Sequence, residues 1–184
     1  LWLIFLILIP TVIVTAQENL QERLYLGLAY YFQGAEKKSD GMKTLGIAEL
    51  FRITEIHPQE PEPRLALALT LHSNRQYDEA IKHYRQLIDQ MDWPEIRVLW
   101  GDALRAQGRL MEAYSQYTRA LDRSPELVRG LYSSGLVLED WGRIDEAQTK
   151  YEAVQELAPS LQENSLHLSR ILRRKGDLEE ALEV

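Results

Sequence analysis

The chain of 184 residues contains no cysteine. That absence excludes disulfide bonds, thiolate metal ligands and a cysteine nucleophile from the sequence shown. The four histidines are scattered, and no two of them have the i, i+4 spacing with a third ligand nearby that a zinc site on a helix requires. We therefore expect neither a metal site nor a bound cofactor.

Signatures of catalysis are also missing. The sequence has no glycine-rich phosphate loop, no Gly-x-Ser-x-Gly elbow and no recognisable nucleophile with a partnering base. Its carboxylates, such as Asp78 and Glu79, recur at a position where the N-terminus of a helix favours negative charge. A structural role accounts for them, so we predict no catalytic residues.

A large excess of positive charge is absent as well. The formal net charge is −7, and acidic and basic residues are interspersed. Such a surface is not expected to attract nucleic acid. The local exception is the basic run from Arg170 to Lys175, which fits either an anchor for a carboxylate of a partner or a cationic last turn of a helix.

Charge of either sign is lacking from residues 1–16. This apolar stretch is shorter than the roughly 20 residues that a membrane-spanning helix needs. It ends Val14-Thr15-Ala16, which is typical of the cleavage region of a signal peptide. We predict a cleaved export signal or a retained N-terminal membrane anchor. The remainder would then be exported, periplasmic or membrane-anchored outside the cytoplasm, and would touch the membrane only through residues 1–16 if they are uncleaved.

What the sequence contains in abundance is repetition. A short signature returns at steps of 33, 34 and 34 residues, as Asp78-Glu79-Ala80, Met111-Glu112-Ala113, Asp145-Glu146-Ala147 and Glu179-Glu180-Ala181. Glycine stands five residues before the last three of these alanines, and tyrosine stands four residues after the first three. A fixed step of this size indicates stacked supersecondary units.

The phased residues suggest physical roles within each unit. In the best-defined unit the apolar spacing predicts a first helix that stops at Gly142 and a second helix capped by Asp145. Gly135 is expected where these two helices approach closely, and Tyr151 is expected to fill the space toward the following unit. In the unit that begins at residue 61, Asn74 is expected to supply the helix stop.

These phased positions resemble the tetratricopeptide repeat, a family of 34-residue helix–turn–helix units. The resemblance implies an all-α fold, a right-handed α-solenoid of antiparallel helix pairs with about four units and a partial last one. Full repeats are expected at 61–93, 94–127 and 128–161, and a truncated partial repeat at 162–184. Residues 17–60 match less well, and we interpret them as a degenerate first repeat with an exposed inserted loop near 34–43.

In this family the first helices line a concave face that binds partners. The positions of this sequence that match that face are Leu24, Leu28, Tyr31 and the adjacent Phe32, then Leu65, Leu69, Val98, Asp102, Arg105, Tyr132, Leu136, Glu139, Arg170 and Arg173. The apolar residues at its start could hold a partner peptide, or the inserted loop could cover them. Family members that bind chaperone tails carry lysine and asparagine at two positions where Leu65 and Leu69 stand here, so a cytosolic chaperone adaptor is disfavoured.

The resemblance and the apolar leader together favour a noncatalytic protein–protein interaction scaffold of the cell envelope. Such a scaffold would bind a protein or peptide in its groove and would take part in the assembly of an envelope or secreted complex. A second interpretation is a recruitment domain of a larger enzyme whose catalytic part lies outside this sequence. A third is self-association through an uncapped end of the array.

Overall fold

A computed structural model describes the backbone of residues 2–176 and the side chains of residues 19–176. Across that range it contains nine α-helices and no β-strand, and turns of three or four residues join the helices. The predicted all-α fold is confirmed. The helices are α1 (Trp2–Glu36), α2 (Asp40–Ile56), α3 (Pro61–Ser73), α4 (Tyr77–Gln90), α5 (Pro94–Ala106), α6 (Leu110–Arg123), α7 (Val128–Asp140), α8 (Ile144–Leu157) and α9 (Gln162–Lys175).

The chain divides into two compact units, and the boundary, between His83 and Tyr84, lies inside α4. In the N-terminal unit α1 packs along α2, and α3 packs against both. In the C-terminal unit α5 pairs with α6 and α7 with α8, while α6 packs on α7, α8 on α9, and α5 on α7. First helices of successive repeats are therefore direct neighbours, α1 and α3 in one unit and α5 and α7 in the other.

Glycine opposite tyrosine sets the closest approach of the two helices within a repeat. A Cβ atom on Gly135 would lie 2.5 Å from Cε1 of Tyr151, and one on Gly101 would lie even closer to the ring of Tyr117. Both rings are fully buried. The expected close approach at Gly135 is confirmed. The Tyr151 ring also reaches the following repeat, with its centroid 5.4 Å from that of His167 on α9.

The turn inside each repeat uses a left-handed backbone conformation. Gly108, Gly142 and Gly176 have φ angles of 75°, 73° and 92°, which confirms glycine as the stop of the first helix. In the repeat at 61–93 the expected residue was wrong. Asn74 has a φ of −85°, whereas Arg75, which is equivalent to Gly108, has a φ of 62°. Repeat phase, rather than the tolerance of asparagine for this conformation, decides which residue adopts it.

The predicted cap at Asp145 was also wrong. The helix begins one residue before Asp145, so Arg143 is the N-cap residue of α8, and its side chain makes no capping hydrogen bond. Asp145 lies instead in the first helical turn, where its charge still faces the positive end of the helix dipole. Arg143 donates a hydrogen bond of 2.6 Å to Glu146.

The inserted loop predicted near residues 34–43 does not exist as a loop. The helix α1 continues to Glu36 and α2 begins at Asp40, so only three residues separate them. The additional residues lengthen both helices. A Cβ atom on Gly34 would lie 2.6 Å from the backbone nitrogen of Lys43, and the missing side chain therefore lets the two long helices stay in close contact up to the turn.

Two predictions concern residues that the structure does not fully describe. The side chains of the predicted leader, residues 1–16, lie outside the described part of the structure, and so does the last copy of the repeated signature, with Ala181. Within the part of the chain that is described, no helix is both long enough and apolar enough to cross a membrane.

Candidate partner-binding surface

In the N-terminal unit, α1 and α3 carry apolar side chains that the fold leaves partly uncovered. Leu24, Leu28 and Leu65 are half-buried, and 39% of Leu69 is exposed. Phe32, on the last turns of α1, is 63% exposed. We term these five residues the α1–α3 apolar face. The predicted inserted loop does not cover these five side chains, because its residues belong to the ends of α1 and α2 and the short turn between them.

One exposed aromatic residue was missed by the sequence reasoning. Tyr25 is 67% exposed and lies seven residues before Phe32, which places both on the same side of α1. The i, i+7 spacing of the two aromatic residues was the available signal. The better-matched repeats give no guide to this position, because α1 belongs to the most divergent repeat.

Two of the predicted groove residues are buried rather than accessible. Tyr31 is 6% exposed and lies against Gly46 of α2, while Val98 is 0% exposed and faces Gly130 of α7. Gly46 lets the backbone of α1 at Tyr31 approach α2 closely, whereas a Cβ atom on Gly130 would make only ordinary contact with Val98, at 3.5 Å. The side chains of Tyr31 and Val98 therefore pack inside the protein and cannot serve as contact surface, contrary to expectation.

Asp102 on α5 links its own repeat to the next one. One carboxylate oxygen accepts hydrogen bonds from the hydroxyl groups of Tyr117 at 2.8 Å and Ser133 at 3.1 Å. The other oxygen accepts a hydrogen bond of 2.7 Å from the guanidinium of Arg129 on α7. Only 14% of the Asp102 side chain is exposed. The carboxylate is thus occupied by internal donors.

Glu139 on α7 makes the corresponding link in the following repeat. Its Oε2 accepts a hydrogen bond of 3.1 Å from the Tyr151 hydroxyl and lies 2.9 Å from Nδ1 of His167, while its Oε1 accepts a hydrogen bond from Arg170. The side chain is 12% exposed. Burial raises the pKa of Glu139, but the hydrogen bonds from His167, Arg170 and Tyr151 outweigh it, so the pKa is lowered overall.

The phased tyrosines are the shared donors to these carboxylates. Burial raises the pKa of Tyr117 and of Tyr151, and the nearby charges of Asp102 and Glu139 raise these pKa values further. Both hydroxyl groups therefore remain protonated at neutral pH and donate. The repeat phase predicted the tyrosines but not their acceptors, because the two carboxylates do not stand at equivalent positions of the repeat.

The remaining predicted groove residues of the C-terminal unit differ in their exposure and in their hydrogen bonding. Tyr132 and Leu136 are half-buried, and Arg173 is exposed. Arg170, in the basic run, is 45% exposed but bonded to Glu139. Arg105 is partly buried, and its Nε is buried without a hydrogen-bond partner. Among the predicted groove residues that the structure describes, only Arg105 has a buried polar side-chain atom without a hydrogen-bond partner.

Comparison with protein families agrees with the repeat geometry. Sequence models of the family described as Tetratricopeptide repeat match residues 64–98, 98–162 and 134–184. Together these matches cover well over half of the chain. The chain belongs to the tetratricopeptide repeat family.

Individual relatives share the repeat but differ in extent. The chain is 29% identical over 150 residues to the TPR repeat-containing protein MJ1428 of Methanocaldococcus jannaschii, an alignment that covers 75% of this chain and 25% of that protein. This tetratricopeptide repeat chain thus spans a quarter of the length of that curated relative.

Solved structures show the same fold at lower identity. PilF of Pseudomonas aeruginosa superposes with a TM-score of 0.74 at 21% identity, covering 91% of this chain and 73% of PilF. YrrB, a TPR protein with an unusual peptide-binding site, superposes with a TM-score of 0.61 at 18% identity, covering 84% of this chain and 80% of YrrB. At these identities the likeness establishes the fold alone.

Proposed function

We propose that this tetratricopeptide repeat protein is a noncatalytic scaffold that binds a protein or peptide through the first helices of its repeats. The observation that carries the proposal is the exposure of apolar side chains on α1 and α3, with Phe32 at 63% and Leu69 at 39%. Clustered exposed apolar groups are typical of interaction sites. The peptide-binding site of YrrB supports the same use of this architecture.

The α1–α3 apolar face suits a particular kind of contact. Leu24, Leu28 and Leu65 are only half-buried, so a partner could cover them without any rearrangement of the fold. Burying apolar surface contributes about 25 cal/mol per Å² removed from water. An amphipathic helix or an extended segment with apolar side chains would supply the complementary surface.

The proposal includes a location outside the cytoplasm. Its support is the uncharged apolar sequence of residues 1–16. There the scaffold would take part in assembling an envelope or secreted complex. A fusion of the full chain to alkaline phosphatase, which is active only after export, tests this. We expect phosphatase activity from the parent and its loss when Ile7→Arg and Ile9→Arg are combined. Equal activity in both would exclude export through this segment.

Site-specific photo-crosslinking tests partner binding. A photoreactive phenylalanine analogue is placed at Phe32 or Leu69 on first helices. Matched controls carry it at Leu45 on α2, which is 60% exposed, and at Met111 on α6, which is 75% exposed. We expect one partner to crosslink from both first-helix positions in cells and little or none from the controls. Crosslinking that is equal at all four positions would contradict a dedicated first-helix surface.

A further inference from the structure

One guanidinium in the C-terminal unit has no internal partner. Nε of Arg105 is buried without a hydrogen bond. Within the described residues this side chain makes no ion pair, and its terminal nitrogens are not among the buried unpaired atoms, so they remain open to solvent. The terminal nitrogens, rather than the enclosed Nε, are therefore the atoms that a group outside the protein can reach.

The repeat provides an internal reference for this position. Arg105 on α5 and Glu139 on α7 are equivalent residues, 34 positions apart. The next first helix, α9, presents His167 and Arg170 to Glu139, and both bond to it. The Glu139 position is therefore closed by contacts within the protein.

The equivalent contacts are missing around Arg105. The residues of α7 that correspond to His167 and Arg170 are Ser133 and Leu136. Ser133 donates its hydroxyl hydrogen to Asp102, and Leu136 has no polar side-chain atom. The next first helix therefore supplies hydrogen-bond partners to Glu139 but none to Arg105, its equivalent in the preceding repeat.

No neighbouring carboxylate of the described residues forms an ion pair with Arg105. Asp102, on the preceding turn of α5, is already paired with Arg129, and Glu139 is paired with Arg170. Burial and the charge of Glu163 raise the pKa of Tyr132, while Arg105 lowers it, so the guanidinium and the phenol lie within electrostatic range. The position combines an open cation with the half-buried aromatic and aliphatic side chains of α7.

We propose that Arg105 anchors an acidic side chain, an aspartate or glutamate inside an extended segment of the bound partner. The carboxylate would accept hydrogen bonds from the terminal guanidinium nitrogens, and adjacent partner residues would lie on Tyr132 and Leu136. The inference rests on the proposed function and specifies the chemistry of its partner. Amidated peptides, which lack a terminal carboxylate, distinguish an internal side chain from a chain terminus.

Selection from a phage-displayed library of random linear peptides tests the assignment. The baits are the full chain, its Arg105→Gln variant and Arg119→Gln, a matched control that removes an exposed arginine of α6, outside the first helices. We expect the parent and Arg119→Gln to enrich peptides with an acidic residue at one recurring position. Arg105→Gln should enrich peptides without that preference.

Synthetic peptides with amidated C-termini then quantify the contact. Replacing the acidic residue by its amide should weaken binding to the parent about 10-fold or more, the range of a charge-assisted hydrogen bond. The same replacement should leave binding to Arg105→Gln unchanged. Enrichment of peptides without an acidic position would overturn this inference while the proposed function stands. Failure of every bait to enrich peptides would overturn both.

Thermal unfolding of Arg105→Gln guards against a structural explanation. Because the guanidinium has no internal partner, its removal should leave the midpoint unchanged or raise it. A lower midpoint would show that Arg105 supports the fold, and the assignment as a partner anchor would then be wrong.

Discussion

The interface between α5 and α7 and the interface between α7 and α9 share the same apolar architecture but contain different polar residues. We call them the first seam and the second seam. In both, a buried tyrosine ring lies over a glycine and donates its hydroxyl hydrogen to a carboxylate. The carboxylate is Asp102 in the first seam and Glu139 in the second, while the position equivalent to Glu139 holds Arg105. The apolar pattern thus builds the same scaffold twice, and the polar residues between its repeats are free to differ.

The largest effect is expected from filling the space beneath the tyrosine rings. Gly135→Ala should lower the free energy of unfolding by about 3 kcal/mol, because the new methyl group would collide with the buried ring of Tyr151. Gly101→Ala should do the same, since both seams share the plan. Urea unfolding measures both. Gly41→Ala is the control, because nothing lies within 4 Å of a Cβ atom there. Losses that differ widely between Gly101→Ala and Gly135→Ala would break the comparison.

A smaller loss is expected from the polar part of the second seam. Glu139→Gln keeps the shape of the side chain but removes the charge that His167 and Arg170 face, so we expect a loss of about 2 kcal/mol in urea unfolding. The additional variant Arg170→Gln should cause little further loss once Glu139 is replaced, because the two residues act through one interaction. Fully additive losses would show that the pair is not coupled.

Acidification sharpens the same test. The folded-state pKa of Glu139 is lowered, so its contribution to stability is complete above the ordinary glutamate pKa of about 4.3 and is lost as the pH falls through the folded value. The stability difference between the parent and Glu139→Gln should therefore shrink as the pH falls below about 4. A difference that grows on acidification would contradict the lowered pKa.

A modest gain is expected where one repeat departs from the shared turn. Arg75 adopts a φ of 62° at the position held by Gly108 in the next repeat. Arg75→Gly should therefore raise the free energy of unfolding by about 1 kcal/mol. Asn74→Gly is the matched control and should bring no gain, because Asn74 has a φ of −85°. A gain from the control alone would mean that the phase of the turn is misassigned.

Much of the scaffold follows from periodicity in the sequence. The helical fold is common to all described repeats, and the glycine stop recurs at Gly108, Gly142 and Gly176. Apart from the cap predicted at Asp145, the errors in the fold arose where a single repeat diverges. The extra residues near 34–43 extend two helices, which no other repeat could indicate, and Asn74 was chosen for its chemistry although its neighbour holds the phased position.

The polar surface was less predictable for a related reason. Asp102 and Glu139 were correctly placed on first helices, but their engagement depends on which donors the next repeat supplies. That information lies in pairs of residues about 30 positions apart, such as Glu139 with Arg170, rather than in the periodic pattern. Val98 and Tyr31 are buried because the facing helices, α7 and α2, pack directly against them.

Unfolding of Arg105→Met beside Glu139→Gln is the most direct test of the account, since the two residues occupy the same place in successive repeats. In the absence of any partner, Arg105→Met should be as stable as the parent or more stable by up to about 1 kcal/mol, because it removes a guanidinium without an internal partner. Glu139→Gln should be destabilised. A comparable loss in both variants would mean that Arg105 is a structural residue, and the open position for a partner would not exist.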